Sequence, residues 1–338
     1  MTALWRIRSL AYLVGLLLCF VLCLIVVTTS PAFANTTSPS HMIPFERLEQ
    51  GQYTIEVRIN DSDPLKFMVD TAASRTSIFN KTRLRLGLET GDTQKFINGM
   101  TNSSFRPTST VETISFGRHK FFDHNVVVLK DWPKGEAESV AGILGMDVFK
   151  NLVFAFSHEM QTVKITKRSK YSKSKYRRWH KIRLEDNPYP VDKFGLLFTY
   201  TQLGDLHIPT LLDTGANFSA INWMSVSDTS ISKERRRLRE EWVIQGSVGE
   251  FKPRMRVRLE ETHIGGIKLK QHEFLVMNFD NFPVNKYGAY PLVIAGIDLM
   301  AGRDFTLDFA NNYLYIAPKP RKLRINLRSS RIKRKGDE

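Results

Sequence analysis

A short turn built around an aspartate occurs twice in this 338-residue chain, and the segments downstream of each copy recur as well. The first copy is "FMVDTAASRTSIF" at 67–79 and the second is "LLDTGANFSAI" at 211–221. Asp70 follows Phe67-Met68-Val69, and Asp213 follows Leu211-Leu212. A carboxylate at the end of an apolar strand is costly unless something satisfies or uses it. A single Asp-Thr-Gly reads as an Asx-type turn closing a hairpin. Two copies, each followed 75 to 83 residues later by an apolar-apolar-Gly-x-Asp segment, point instead to two halves of one site. Between those landmarks "INGMTNSSF" (97–105) matches "IQGSVGEF" (244–251), and "ISFGRHKFFDHNVVVL" (114–129) matches "THIGGIKLKQHEFLVM" (262–277). Finally "GILGMDVF" (142–149) matches "LVIAGIDLM" (292–300), which pairs Gly145 with Gly296. Four landmarks in one order mean a duplicated unit, with offsets that drift as loops change length.

Each half reads as strands. "QYTIEVRIN" (52–60) alternates and ends at a turn signal, Asp61-Ser62-Asp63-Pro64, after which "LKFMVD" returns as a second hairpin arm. Helices are few: a turn or two at 145–151, and an exposed, charged helix over 232–242 with Ser232 as its N-cap. The fold class expected is all-β with short helices, as two homologous lobes. With 42% hydrophobic residues the chain can fill two cores, each of roughly 120–140 residues.

Residues 1–34 stand apart. Arg6 and Arg8 precede an apolar run from Leu10 to Val27, and Pro31-Ala32-Phe33-Ala34 offers an Ala-x-Ala cleavage site. The segment reads as a signal peptide or a retained membrane anchor, since the run also reaches the length of a short membrane span. Either way the remainder is expected outside the cytoplasm, periplasmic or secreted. Both cysteines, Cys19 and Cys23, lie in the run, so the rest has neither disulfide nor thiol nucleophile.

The formal charge of +15 is unevenly spread. Lys164–Arg183 holds ten Lys or Arg and no acid, and Lys319–Lys335 holds nine, which leaves the other residues beyond the leader mildly acidic. The domain reading is an N-terminal lobe at 42–165, a basic linker at 166–183, a C-terminal lobe at 184–318 and a basic tail at 319–338. Linker and tail read either as solvated segments or as adhesion to an anionic membrane or envelope surface. Nucleic acid is not expected as a partner of an exported chain. No His-Glu-x-x-His, Cys pair or phosphate-binding glycine loop occurs, so no metal or other cofactor is expected. His124 and His272 fall at matching repeat positions and read as plain strand residues.

On "MIPFERLEQGQYTIEVRINDSDPLKFMVDTAAS", "GILGMDVF", "PTLLDTGAN" and "VIAGIDLM", residues 42–317 resemble an aspartic protease, each half similar to a retropepsin lobe and both lobes in one chain as in pepsin. The resemblance implies a peptide-hydrolysing monomer whose lobes pair within the chain and whose substrate is a protein or peptide. It implies a catalytic pair, Asp70 and Asp213, sharing one proton and activating a water. Thr71 and Thr214 would brace the two loops, Ala72 and Gly215 would offer backbone to the dyad or substrate, and Gly145 and Gly296 would lie beneath the loops. Asn98-Gly99 and Gln245-Gly246 would be tips of mobile flaps.

Two departures matter. Ala72 stands where the family has glycine; if that position required a positive φ or close packing, its methyl would cost around 1 kcal/mol. That keeps open a catalytically impaired, peptide-binding protein as the alternative. Ala73 and Ala216 stand where pepsins carry a hydroxyl that bonds a carboxylate. Losing that donor raises the lower pKa of the pair and predicts an activity optimum less acidic than pepsin's.

Overall fold

The computed structural model describes residues 42–99, 102–132, 139–167, 173–186, 188, 195–227, 235–237, 244–246, 249–251, 255–279, 290–300 and 302–318. The leader at 1–34 and the tail at 319–338 lie outside them.

The first lobe is built from β1 (Met42–Arg47), β2 (Tyr53–Ile59), β3 (Leu65–Val69), β4 (Ser77–Phe79), β5 (Gly91–Asn98), β6 (Ser103–Phe116), β7 (His119–Leu129) and β8 (Gly142–Leu144). Helix α1 (Asn80–Arg85) follows β4 and α2 (Met146–Phe149) follows β8. The alternation read in the sequence sets the burial of β2: Tyr53, Ile55, Val57 and Ile59 point inward while Glu56 and Arg58 point out. The β2–β3 hairpin turns through Asn60 and Asp61 with φ of 47° and 59°. That left-handed backbone is the one Asn and Asp tolerate best. Strand β3 runs parallel to β8 and β4 runs parallel to β7. Because β2 also pairs with β6, the ring β2-β3-β8-β4-β7-β6 closes on itself.

The chain then forms β9 (Leu152–Ser157), β10 (Thr162–Lys167) and β11 (His180–Arg183), followed by the second lobe. That lobe contains β12 (Phe198–Leu203), β13 (Leu206–Leu212), β14 (Ala220–Ile221), α3 (Trp223–Ser227), β15 (Arg235–Arg237), β16 (Ile244–Gly246), β17 (Gly249–Phe251), β18 (Met255–Ile264), β19 (Ile267–Val276) and β20 (Val293–Ala295). Its ring, β12-β13-β20-β14-β19-β18, closes through β12–β18 and repeats the first, with β13–β20 and β14–β19 as the parallel pairs. Arg235–Arg237 is a strand and not part of the helix expected over 232–242. The reason is local: beside Met255–Val257, β18 has an open edge, and β15 pairs there.

Strands β21 (Phe305–Asp308) and β22 (Tyr313–Ile316) end the described chain. They do not stay within the second lobe. The order β11-β22-β21-β9-β10-β1 puts both against strands that lead into and out of the first lobe. The segment read as a basic linker therefore supplies β11 at its C-terminal end, and Lys167 at its start lies in β10; residues 168–172 lie outside the described ones. Aromatic side chains weld this shared sheet. Phe156 stacks on Phe305 at 4.5 Å, Tyr53 lies 5.3 Å from Phe305, and Phe149 stacks on Phe309 at 5.1 Å. Such pairs add about 0.5–1.5 kcal/mol each beyond their burial.

Candidate active site

Both aspartates leave the C-terminal ends of equivalent strands, β3 and β13, beside the parallel partners β8 and β20. The Asp70 N–H donates to the Leu144 carbonyl at 3.1 Å and the Asp213 N–H to the Ala295 carbonyl at 2.9 Å. Each carboxylate is then held by its own loop. Asp70 Oδ1 accepts from the N–H groups of Ala72 (2.8 Å) and Ala73 (3.1 Å), and Asp213 Oδ1 accepts from Gly215 (2.9 Å) and Ala216 (3.0 Å). This is the Asx-type turn expected of a single copy, made twice.

What a single turn could not supply is the contact between the copies. Thr71 Oγ1 donates to the Leu212 carbonyl at 2.6 Å, and Thr214 Oγ1 donates to the Val69 carbonyl at 2.7 Å. In return the Thr71 N–H donates to Thr214 Oγ1, and the Thr214 N–H to Thr71 Oγ1, each at 3.1 Å. Both threonines are buried, so these four reciprocal bonds lock the loops together out of water. The two carboxyl groups lie close enough that each shifts the other's titration. A Cβ placed on Gly215 would lie 2.5 Å from Asp70 Oδ2, so this loop presses its backbone against the opposite carboxylate. Gln52 adds a further tie across the lobes, its Nε2 donating to the Gly215 carbonyl at 3.3 Å.

Burial pushes both carboxyls above the usual carboxylate range. Asp213 goes further, because the charge of Asp70 adds to its burial. Asp70 is held back by the N–H groups of Ala72 and Ala73 and by the neighbouring Asp213 side chain.

Beneath the loops Gly145 and Gly296 have no room for a side chain. A Cβ at Gly145 would meet the Arg75 backbone at 2.5 Å, and one at Gly296 the Phe218 backbone at 2.7 Å. The sequence reading gave no role to the aspartates two positions on. Thr76 donates its N–H (2.9 Å) and Oγ1 (2.7 Å) to Asp147, and Ser219 donates its N–H (3.0 Å) and Oγ (2.8 Å) to Asp298. The same hydroxyls accept from the N–H groups of Gly145 and Gly296. The signal was available: a hydroxyl residue sits six positions after each aspartate, at Thr76 and Ser219.

Residues 55–148 match the family model described as aspartyl protease. That match supports an aspartic protease of the pepsin/retropepsin superfamily. No curated protein matches it. The match lies within the first lobe; the second carries the same ring, the same parallel pairs and the same loop bonds. Against that family pattern the departure at Ala72 can be weighed. Its φ is not positive, and its methyl packs on the apolar cluster of the second lobe around Leu211 and Ile294. The positive φ that would have strained alanine there does not arise.

The four flap candidates lie at hairpin strands. Asn98 ends β5, Gly99 donates its N–H to the Asn102 carbonyl at 2.8 Å, and Ser103 Oγ donates to Asn98 Oδ1 at 2.7 Å, giving a tight hairpin end. Gln245 and Gly246 lie in β16, opposite Glu250 and Gly249 of β17. The matched histidines have diverged. His272 Nε2 stands 3.3 Å from Asp298 Oδ2, whereas His124 lies edge-on to Phe121. Among the described residues no group of three or more His, Cys, Asp or Glu side chains converges as a metal site.

Proposed function

We propose that this protein is an aspartic endopeptidase in which Asp70 and Asp213 together activate a water against a peptide carbonyl. The observation that carries this is the reciprocal threonine bonding, which holds two carboxyl groups in contact across two lobes. Two carboxylates so close cannot both ionise cheaply, so they share one proton. That proton belongs to the pair; with it on Asp213, Asp70 is the ionised base. Asp70 then takes a proton from the water as its oxygen bonds to the carbonyl carbon, while Asp213 gives its proton to the carbonyl oxygen. The resulting diol returns a proton to Asp213 as the C–N bond breaks, and the amine leaves with the proton held by Asp70. No covalent enzyme intermediate is required. The hairpins ending at Asn98-Gly99 and Gln245-Gly246 serve as flaps that exclude water. The alternative, a peptide binder without activity, drew its support from Ala72, whose backbone conformation is an ordinary one.

Incubation of the full chain with a mixed peptide library, read by mass spectrometry, tests this. New termini are expected from the wild type, with pepstatin-type inhibition, and none above background from Asp70→Asn or Asp213→Asn. Cleavage that survives either substitution would reject the dyad. The leader supports action outside the cytoplasm, with the chain released or held at a membrane. A mature N-terminus at Asn35 is expected if it is cleaved, and an intact Met1 in membrane fractions if it is an anchor; soluble, cytoplasmic full-length protein would oppose both.

A further inference from the structure

The β5–β6 hairpin that ends at Asn98-Gly99 has the usual polarity of its two faces reversed. From Gln94 to Asn98 its register runs without a break, with Lys95 opposite Arg106, Phe96 opposite Phe105 and Ile97 opposite Ser104. Opposed residues share a face, and the face changes at each step along the strand. One face carries Phe96 and Phe105, whose rings lie 5.0 Å apart and which are 54% and 62% exposed. The other carries Ile97, Lys95 and Arg106, all half-buried. Ile97 packs on the apolar cluster around Met68, Phe79 and Ile143, and Ala73 of the Asp70 loop packs on the same cluster. The two cations therefore sit on the face turned toward the Asp70 loop, while the aromatic pair faces outward.

Like charges directly opposite one another destabilise a strand pair, and partial burial strengthens their repulsion. Arg106 carries a further cost: its Nε is buried and has no hydrogen-bond partner among the described residues. A peptide held between this hairpin and the aspartates passes the cationic face. A carboxylate there relieves the repulsion and accepts from the guanidinium, whose planar fork matches its two oxygens. The aspartate pair, sharing one proton, keeps one negative charge and would repel an acidic peptide were these cations absent. We propose that Lys95 and Arg106 are specificity-determining residues, which select peptide substrates bearing an Asp or Glu side chain at a fixed distance from the scissile bond. This deepens the endopeptidase reading and rests on it for the place of the hairpin over the substrate.

A randomised library of acetylated and amidated peptides, in which side chains alone carry acid, tests the pair. Among peptides cut by the full wild-type chain, Asp and Glu are expected over Asn and Gln by about tenfold at one fixed position from the new terminus. Lys95→Gln/Arg106→Gln is expected to bring that ratio to within about twofold of parity. Lys333→Gln/Lys335→Gln, an equal charge change in the tail, is expected to leave it standing. Lys95→Glu places an acid opposite Arg106, so this variant is expected to melt higher than the wild type and to lose the preference as well. Cleavage by the wild type with no such position, or equal losses in the two double variants, would overturn the proposal and leave the protease standing. Charges that serve only to keep β5 from pairing with another chain would give that result. Capture of the same library on full-length Asp213→Asn separates the two readings. Acidic peptides captured there and lost with Lys95→Glu support the pair, even where the wild type cuts nothing. No enrichment of acidic peptides in either assay overturns it.

Discussion

Gly215 and Ala72 occupy equivalent positions, and the glycine is pressed against the opposite carboxylate. Gly215→Ala would put a methyl carbon 2.5 Å from Asp70 Oδ2, closer than real contacts allow. Either the loop or Asp70 must shift. A misplacement of about 1 Å at a reacting group can cost about 100-fold, so kcat/KM should fall by about that much while the melting temperature changes little. Unchanged activity would mean the loop gives way freely. Asp213 makes a second prediction. Its folded pKa is raised, so the folded state holds a proton that the unfolded chain releases near pH 4. As pH rises from there, ionisation favours the unfolded chain, and a stability penalty accumulates until the folded pKa is passed. Asp213→Asn removes the penalty and keeps an oxygen for the Gly215 and Ala216 N–H groups. The variant should melt higher than the wild type at pH 7, with the gain fading as pH falls toward 4, as thermal unfolding across pH can record. Equal melting temperatures throughout would contradict the raised pKa.

Each Asp-Thr loop is fixed from below by a strand end and a short helical turn. Asp147 opens α2 and Asp298 lies in the 3-10 turn Ile297–Leu299, and both reach back to a hydroxyl residue in the loop. Asp298→Ala leaves the N–H and Oγ of fully buried Ser219 without this acceptor. A buried donor left unpaired costs about 1–3 kcal/mol. The expected outcome is a lower melting temperature together with reduced kcat/KM, since the loop bearing Asp213 loses its support. A variant unchanged in both would show that the tie is incidental. At this scale the sequence was readable where period and repetition carried the message. The alternation of β2, the Asp-Thr turns, and the glycines at 145 and 296 were all legible as local pattern and duplication. The ties at Asp147 and Asp298 were visible only as a repeated Gly-x-Asp, because a hydrogen bond spanning some 70 residues has no local signature. Arg235–Arg237 misled for the opposite reason: a charged run favours helix locally, and an open strand edge decided otherwise.

At the scale of the molecule, two closed rings would be two independent domains were it not for the sheet β11-β22-β21-β9-β10-β1. Duplication could be read from sequence; that sheet could not, since β21 and β22 have no counterpart among the four repeated landmarks, and strand partners far apart in the chain leave no spacing to detect. Its aromatic stacking fixes one lobe against the other, and the threonine bonds set the remaining distance between the carboxyl groups. Carboxyl groups held this way must titrate as one unit. The pH dependence of kcat/KM on a cleaved peptide tests this most directly. A bell is predicted, rising as the first carboxyl ionises and falling as the second does, with its acidic limb above the value of about 1.5 found for pepsin. A rate that climbs to a plateau through neutral pH, with no descending limb, would mean a single independent base and would contradict the shared proton.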